Sequence, residues 1–288
     1  MDKHEICRKT MSLLKKKYGA AARKQGLPVL ETMLFACCLE NASPAQAESA
    51  YARLLNGFHD LNEIRVSSLH ELEPIFSGLE APEWRALRVK ASLQFVFEST
   101  YSFDYESLKR KTHDLAAKQL AKIRQLSPFI RSYVLQNSLD GHVLPIDDRM
   151  HDVLVWLGLA DANSTAEHSG EVLRPFIRKS DGPLFCFLLR CISTDPKYKG
   201  AFTPAAAKAQ AESNGEHAPH ERLEQLLRRG PAAIRKKEKE AARKSASAHK
   251  GSGGRKSDGK KDAKPAKDHK GTSRKATVGK GTPNKKSR

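Results

Sequence analysis

Along the first 200 residues apolar side chains return every three or four positions, and no segment sustains an alternation of period two. That pattern predicts an all-α chain of roughly ten helices with short links, enough for two small helical layers. Residues 3 to 18 read as a basic amphipathic helix with Ile6, Met11, Leu13 and Leu14 on its apolar side, followed by a polar link from Gly19 to Gly26. Pro28 opens the strongest pattern: Leu30, Met33, Leu34, Cys37 and Cys38 form one stripe of a buried helix. Ser43-Pro44-Ala45-Gln46 and Ser68-Leu69-His70-Glu71 are capping boxes. The first starts a helix with Ala47, Ala50, Tyr51, Leu54 and Leu55 inward, and the second a shorter one with Leu69, Leu72, Ile75 and Phe76. Gly57 and Gly78 end them, and Pro82 begins a long helix whose Leu87, Ala91, Leu93, Val96 and Phe97 are expected to face the core, while Trp84, like Trp156, is expected in core or interlobe packing.

Two shorter helices, Tyr105 to Lys111 and Leu115 to Arg124, lead into the stretch Leu126 to Asp147, LSPFIRSYVLQNSLDGHVLPID. It reads as a turn at Ser127-Pro128, an apolar helix, a break at Asp140-Gly141-His142, and an apolar approach to a carboxylate at a helix start. Beyond it, Met150, Val153, Leu154 and Leu157 mark one helix, Ser164 to Glu167 caps another carrying Val172, Leu173, Phe176 and Ile177, and Gly182-Pro183 starts a last apolar helix. From Ser193 the pattern weakens, although Leu223, Leu226 and Leu227 allow one charged helix in a linker spanning residues 201–230.

Charge changes this picture at one end. The chain carries a net +18, but residues 231–288 hold 20 Lys or Arg against 5 Asp or Glu, which leaves +3 for residues 1–230. With no aromatic residue and few large aliphatic ones, the tail cannot bury enough apolar surface to offset its ordering entropy and is expected to be disordered. Cationic side chains on a flexible polymer bind polyanions without reading sequence, so nucleic acid is one reading of the tail and solubility or targeting is the other. No run reaches a membrane span, and the start lacks the apolar core of a signal peptide, which together predict an intracellular protein with no membrane partner. The five cysteines, Cys7, Cys37, Cys38, Cys186 and Cys191, include no C-x-x-C pair and read as reduced core residues, with no metal site and no cofactor.

On spacing alone, Asp147 is a helix N-cap held ionised by the positive helix end, and Arg131 is a solvated charge. The turn before the helix at Pro128 exposes backbone N–H groups suited to a phosphate. His142 and His151 flank Asp147 and are expected in surface or capping roles, and His217 and His220 in a mobile link that binds no metal.

From about Pro28 to Cys191 the order of features resembles the endonuclease III branch of the helix-hairpin-helix (HhH-GPD) DNA glycosylase superfamily. LPVLETMLFACCLENAS is similar to that family's first barrel helix and the turn after it, and IFSGLEAPEWRALRVKASL to its G-L-x-x-x-K-A segment. LSPFIRSYVLQ stands where the family has the hairpin L-P-G-V-G-R-K-T-A, and HVLPIDDRMHDVLVWLGL where it has V-D-T-H and the helix that follows. The resemblance implies two helical lobes: a central barrel, residues 27–141, and a second lobe from residues 1–26 and 142–200. Double-stranded DNA is the implied partner of a monomer, lying across the cleft with a damaged or mispaired nucleotide flipped out.

The resemblance also implies residue roles. Asp147 matches the catalytic aspartate that stabilises the developing sugar cation and orients a nucleophile. Ser132 stands where strand-cutting members have a Schiff-base lysine, which implies a monofunctional N-glycosylase of base-excision repair working by water attack. Phe129, Ile130 and Arg131 fall in the hairpin and Glu40 at a gap-filling position on the duplex, all expected to contact DNA. Three departures count against activity: Pro128 and Ile130 replace hairpin glycines, Glu40 replaces a glutamine, and the four-cysteine iron–sulfur loop is absent after Cys191. The alternative is a catalytically inactive relative that binds DNA through its basic tail.

Overall fold

The computed structural model describes residues 2–19, 26–212 and 218–230. They fall within one of two units of the chain, Met1–Ala241; the second, Ala242–Arg288, and the whole Lys-rich tail of residues 231–288 lie outside the described residues, as does His217. Helix α1 (Lys3–Tyr18) starts where the Asp2 side chain accepts a hydrogen bond from the His4 N–H and stops at Gly19, which takes a φ of 84°. Helix α2 (Val29–Leu39) follows Pro28 and is buried along its whole length, which is why its sequence is apolar all round rather than on one face. Ser43 and Gln46 form the expected capping box for α3 (Pro44–Asn56). Asp60 caps α4 (Leu61–Val66), and the Ser68–Glu71 box starts α5 (Leu69–Leu72), which tightens into a 3-10 turn over Glu73–Phe76.

Helix α6 (Pro82–Thr100) buries Arg85, Ala86, Val89, Ser92, Leu93 and Val96. This stripe is rotated from the one predicted: Leu87 and Phe97 are only half-buried and Trp84 is 56% exposed, so its expected place in the core is corrected. The cause is Arg85, a charged residue that takes a core position through hydrogen bonds rather than hydrophobicity. Leu55 and Leu69, also expected inward, are exposed. After a 3-10 turn at Glu106–Arg110 come α7 (His113–Leu120), capped by Thr112, and α8 (Pro128–Ser138), capped by Ser127. The chain then runs irregularly to α9 (Asp148–Trp156), α10 (Ala166–Leu173), a 3-10 turn at Arg174–Phe176, and α11 (Gly182–Thr194). Helices α12 (Pro204–Glu212) and α13 (Pro219–Arg229) complete the described residues, among which there is no strand.

The buried side chains form two cores. The first, built on α2, gathers Leu30, Leu34, Leu54, Phe76, Leu93, Leu120, Ile130 and Val134 from α2 through α8. The second joins α1 to everything after α8, with Leu14, Met150, Leu154, Leu173, Leu188, Leu189 and Leu226 in contact. Of the segment 201–230, expected as a linker, the described parts around α12 and α13 pack on this second core: Phe202 packs edge-on against Trp156 at 5.5 Å, and Ala207, Leu223 and Leu226 are buried. His220 likewise sits on α13 within 3.3 Å of Lys9 on α1, rather than in a mobile link.

One close approach positions the chain ahead of α9. A Cβ at Gly170 would lie 2.5 Å from the Leu144 carbonyl oxygen, so α10 packs directly on the Leu144 backbone and beside the Ile146 side chain. Gly170→Ala is expected to cost about 1–3 kcal/mol in a urea melt through forced displacement of α10. An unchanged midpoint would show that α10 is free to shift.

Candidate functional site

Four elements meet where the two cores touch: the turn after α2, the start of α8, the start of α9 and the middle of α11. Asp147 is the N-cap of α9, and its Oδ1 accepts from the Met150 N–H at 3.0 Å. Its Oδ2 accepts from the Asn41 N–H at 2.8 Å and from Arg190 Nη1 at 2.7 Å. The two side chains of this ion pair are 1% and 5% exposed. Asp147 thus ties the second core to the α2–α3 turn of the first, where Asn41 takes a left-handed φ of 53° that asparagine tolerates better than most residues.

Arg190 does more than neutralise Asp147. Its Nη1 also lies 2.7 Å from the Leu39 carbonyl and 3.2 Å from that of Ala42, its Nη2 is 3.3 Å from Met150 Sδ, and its guanidinium stacks 4.8 Å over the Phe129 ring. Arg85 serves the same turn from the other side: Nη1 donates to the carbonyls of Cys37 and Cys38 at 2.7 and 3.1 Å, and Nη2 to that of Glu40 at 2.5 Å. Two buried arginines therefore satisfy the orphan carbonyls at the end of α2, a role water or a glycine cap fills in most helices. Neither was flagged from the sequence. The available signal was a lone arginine inside an apolar run, FCFLLRCIST, where only a satisfied charge is tolerated.

The other site residues of the sequence reading fall differently. Phe129 and Ile130, expected to touch DNA, lie in the first turn of α8 with their side chains buried in the first core. Arg131 is 29% exposed and lies 3.8 Å from Glu167. Ser132 is half-buried on α8. Glu40 does not stand free on a rim: its side chain, 13% exposed, pairs with Arg88 and takes a hydrogen bond from Ser127. Burial pushes its carboxyl up, against the pull of Arg88. His142 Nε2 lies 2.9 Å from the Ile177 carbonyl and His151 Nδ1 2.8 Å from Ser169 Oγ, so the first ties two loops together and the second ties α9 to α10. Burial lowers the His151 pKa, which keeps it neutral near pH 7.

One carboxylate on α9 is unsettled rather than satisfied. Burial, with repulsion from Asp148, pushes the Asp152 carboxyl from 3.8 up to about 6. A raised folded-state pKa means that its contribution is complete below the ordinary range and lost as pH rises through about 6. Asp152→Asn is expected to raise the melting temperature above pH 7 and leave it unchanged near pH 3.5. A gain of the same size at both pH values would overturn this assignment. The buried thiols are quiet by comparison: burial pushes Cys7, Cys38 and Cys186 up to about 12.

What this arrangement can do chemically follows from the Asp147 pair. To stabilise a sugar cation, a carboxylate must present uncompensated negative charge to it. Asp147 has both oxygens engaged and a guanidinium in contact, so the field outside the pair is that of a buried dipole.

The fold defines the class: this is an all-α protein with an endonuclease III-like fold. Among solved structures 22 chains match, one of them a trapped endonuclease III–DNA covalent intermediate in an estranged-adenine complex. It is 14% identical, with a TM-score of 0.52, and the match covers 66% of this chain and 85% of that one. No family model matches the sequence, and no curated protein does.

Proposed function

We propose that this protein binds double-stranded DNA on an endonuclease III-like scaffold without excising a base, and that Asp147 serves it as a structural ion pair. The observation that carries the reading is the complete engagement of the Asp147 carboxylate by Met150, Asn41 and Arg190 at the junction of the two cores. Buried Phe129 and Ile130 support it, since the hairpin that would clamp a strand is folded into the first core. The fold is shared with a protein whose structure was solved on DNA, and the Lys-rich tail adds charge for a polyanion.

A second reading, a monofunctional N-glycosylase acting by water attack, is favoured by one observation: Asp147 heads a helix at the junction where the two cores meet, as the family resemblance requires. In that reading Ser132, which has no amine, forms no Schiff base, and borohydride traps no covalent complex. A single-turnover assay separates the two. On duplexes containing uracil, oxidised pyrimidines, alkylated bases or mismatches, the expected result is binding without base release. Release that disappears in folded Asp147→Asn protein would establish the glycosylase instead.

A further inference from the structure

The turn leading into α8 offers DNA little backbone to hold. Pro128 has no N–H, and the Ile130 N–H is taken by Ser127 Oγ at 3.2 Å. Directly ahead of that turn, however, the folded part carries one of its two dense positive stretches, the other being Arg8–Lys17 on α1. The seventeen residues from Lys109 to Gln125 contain six Lys or Arg and a single acid, Asp114, a net +5. Since residues 1–230 total +3, the rest of them stand at −2. All six cations are exposed: Lys109, Arg110, Lys111, Lys118, Lys122 and Arg124. Lys109 pairs with Glu106 at 2.5 Å.

Part of this charge is gathered around α7. Ala116 and Leu120 face the first core, which turns Lys118 to the opposite, solvent-facing side of the helix, one turn from Leu115. Lys111 lies just before the N-cap Thr112 and Lys122 just after the C-cap Ala121, at the two ends of α7. Leu115 is 54% exposed in the middle of it, an apolar side chain between cations that suits the sugar between two phosphates. The platform is fixed, because α7 packs on α8 and His113 Nε2 meets the Leu139 carbonyl at 2.9 Å.

We infer that this face, Lys111, Lys118, Lys122 and Arg124 around Leu115, is the phosphate-backbone contact surface of the folded part, gripping one strand of duplex DNA through side chains. The inference rests on the DNA-binding reading and adds the place where binding occurs. Such contacts position the duplex and carry no base information.

The test uses the full-length chain and a fluorescent 20-base-pair duplex. Each lost phosphate contact lowers the slope of log K against log salt by about 0.9. The triple variant Lys118→Gln/Lys122→Gln/Arg124→Gln is therefore expected to reduce the slope by roughly 2–3 with its melting temperature unchanged. Lys15→Gln/Lys16→Gln/Lys17→Gln at the end of α1 removes the same charge elsewhere and is expected to leave the slope within 0.5 of the parent, about half of one contact. Amide exchange on the unmodified protein provides a measurement independent of variants, with DNA expected to protect residues 109–124. An unchanged slope in the α7 variant, an equal loss in the α1 variant, no protection of residues 109–124, or tighter binding of a 20-base-pair RNA duplex overturns the surface. Failure of the unmodified chain to bind any duplex defeats the DNA-binding reading itself, whereas intact binding by the α7 variant defeats only this assignment.

Discussion

Asp147→Ala is expected to lower the unfolding free energy by about 3–5 kcal/mol, the cost of leaving one charge of a buried pair without its partner. The pair is deep enough for that figure, with side-chain exposures of 1% and 5%. Removing the carboxylate strands the Arg190 guanidinium among the Leu39 and Ala42 carbonyls, the Phe129 ring and Met150. It also frees the Asn41 and Met150 N–H groups, of which the second is the first-turn donor of α9. Asp147→Asn separates these effects, since asparagine remains a good N-cap but supplies no charge. It should recover the capping share and keep the deficit of the stranded guanidinium. Arg190→Met in the Asp147→Asn background should then restore part of the loss, because a buried pair replaced by apolar groups of similar volume is often close to neutral. Urea unfolding of the four proteins measures the coupling directly. Asp147→Ala with an unchanged midpoint would sink the structural role assigned to this residue, and with it the argument against catalysis.

Phe129→Ala is expected to be comparably costly, about 3–5 kcal/mol, because it opens a cavity in the first core where no polar group can take the ring's place. The ring packs against Tyr133 at 5.8 Å and supports the Arg190 guanidinium from below. The loss should therefore be non-additive with Arg190→Met, as expected for residues in contact. At a temperature where the variant stays folded, its affinity for duplex DNA should match that of the parent. The opposite result, intact stability with weakened DNA binding, would return Phe129 to the role its position in the hairpin implies.

Much of the architecture was legible from periodicity and punctuation. The capping boxes at Ser43 and Ser68, the proline starts at Pro28, Pro44 and Pro82, and the stripe of Met150, Val153, Leu154 and Leu157 all depend on neighbours within one turn of helix. Local rules determine such features, so one strand of text contains them. The misplacements share the opposite property. Trp84 is exposed and Arg85 buried because α6 rotates to deliver a guanidinium to carbonyls more than forty residues away. Phe202, Ala207, Leu223 and Leu226 joined the second core because Trp156 and α1 supply apolar surface that the segment's own composition does not reveal.

The site divides along the same line. Asp147 as an N-cap follows from an acidic residue ahead of a helical stripe, and the structure realises it with the Met150 bond. The absence of an amine at Ser132 is also a matter of residue identity alone. The partner of Asp147 was chosen across 43 residues of chain, at Arg190, and no spacing rule links the two. Local sequence determined the helices, their caps and the charge carried by the segment before α8. Packing between the cores decided which charges are spent on one another, because a buried ion pair is chosen by three-dimensional proximity and by the desolvation cost that proximity offsets.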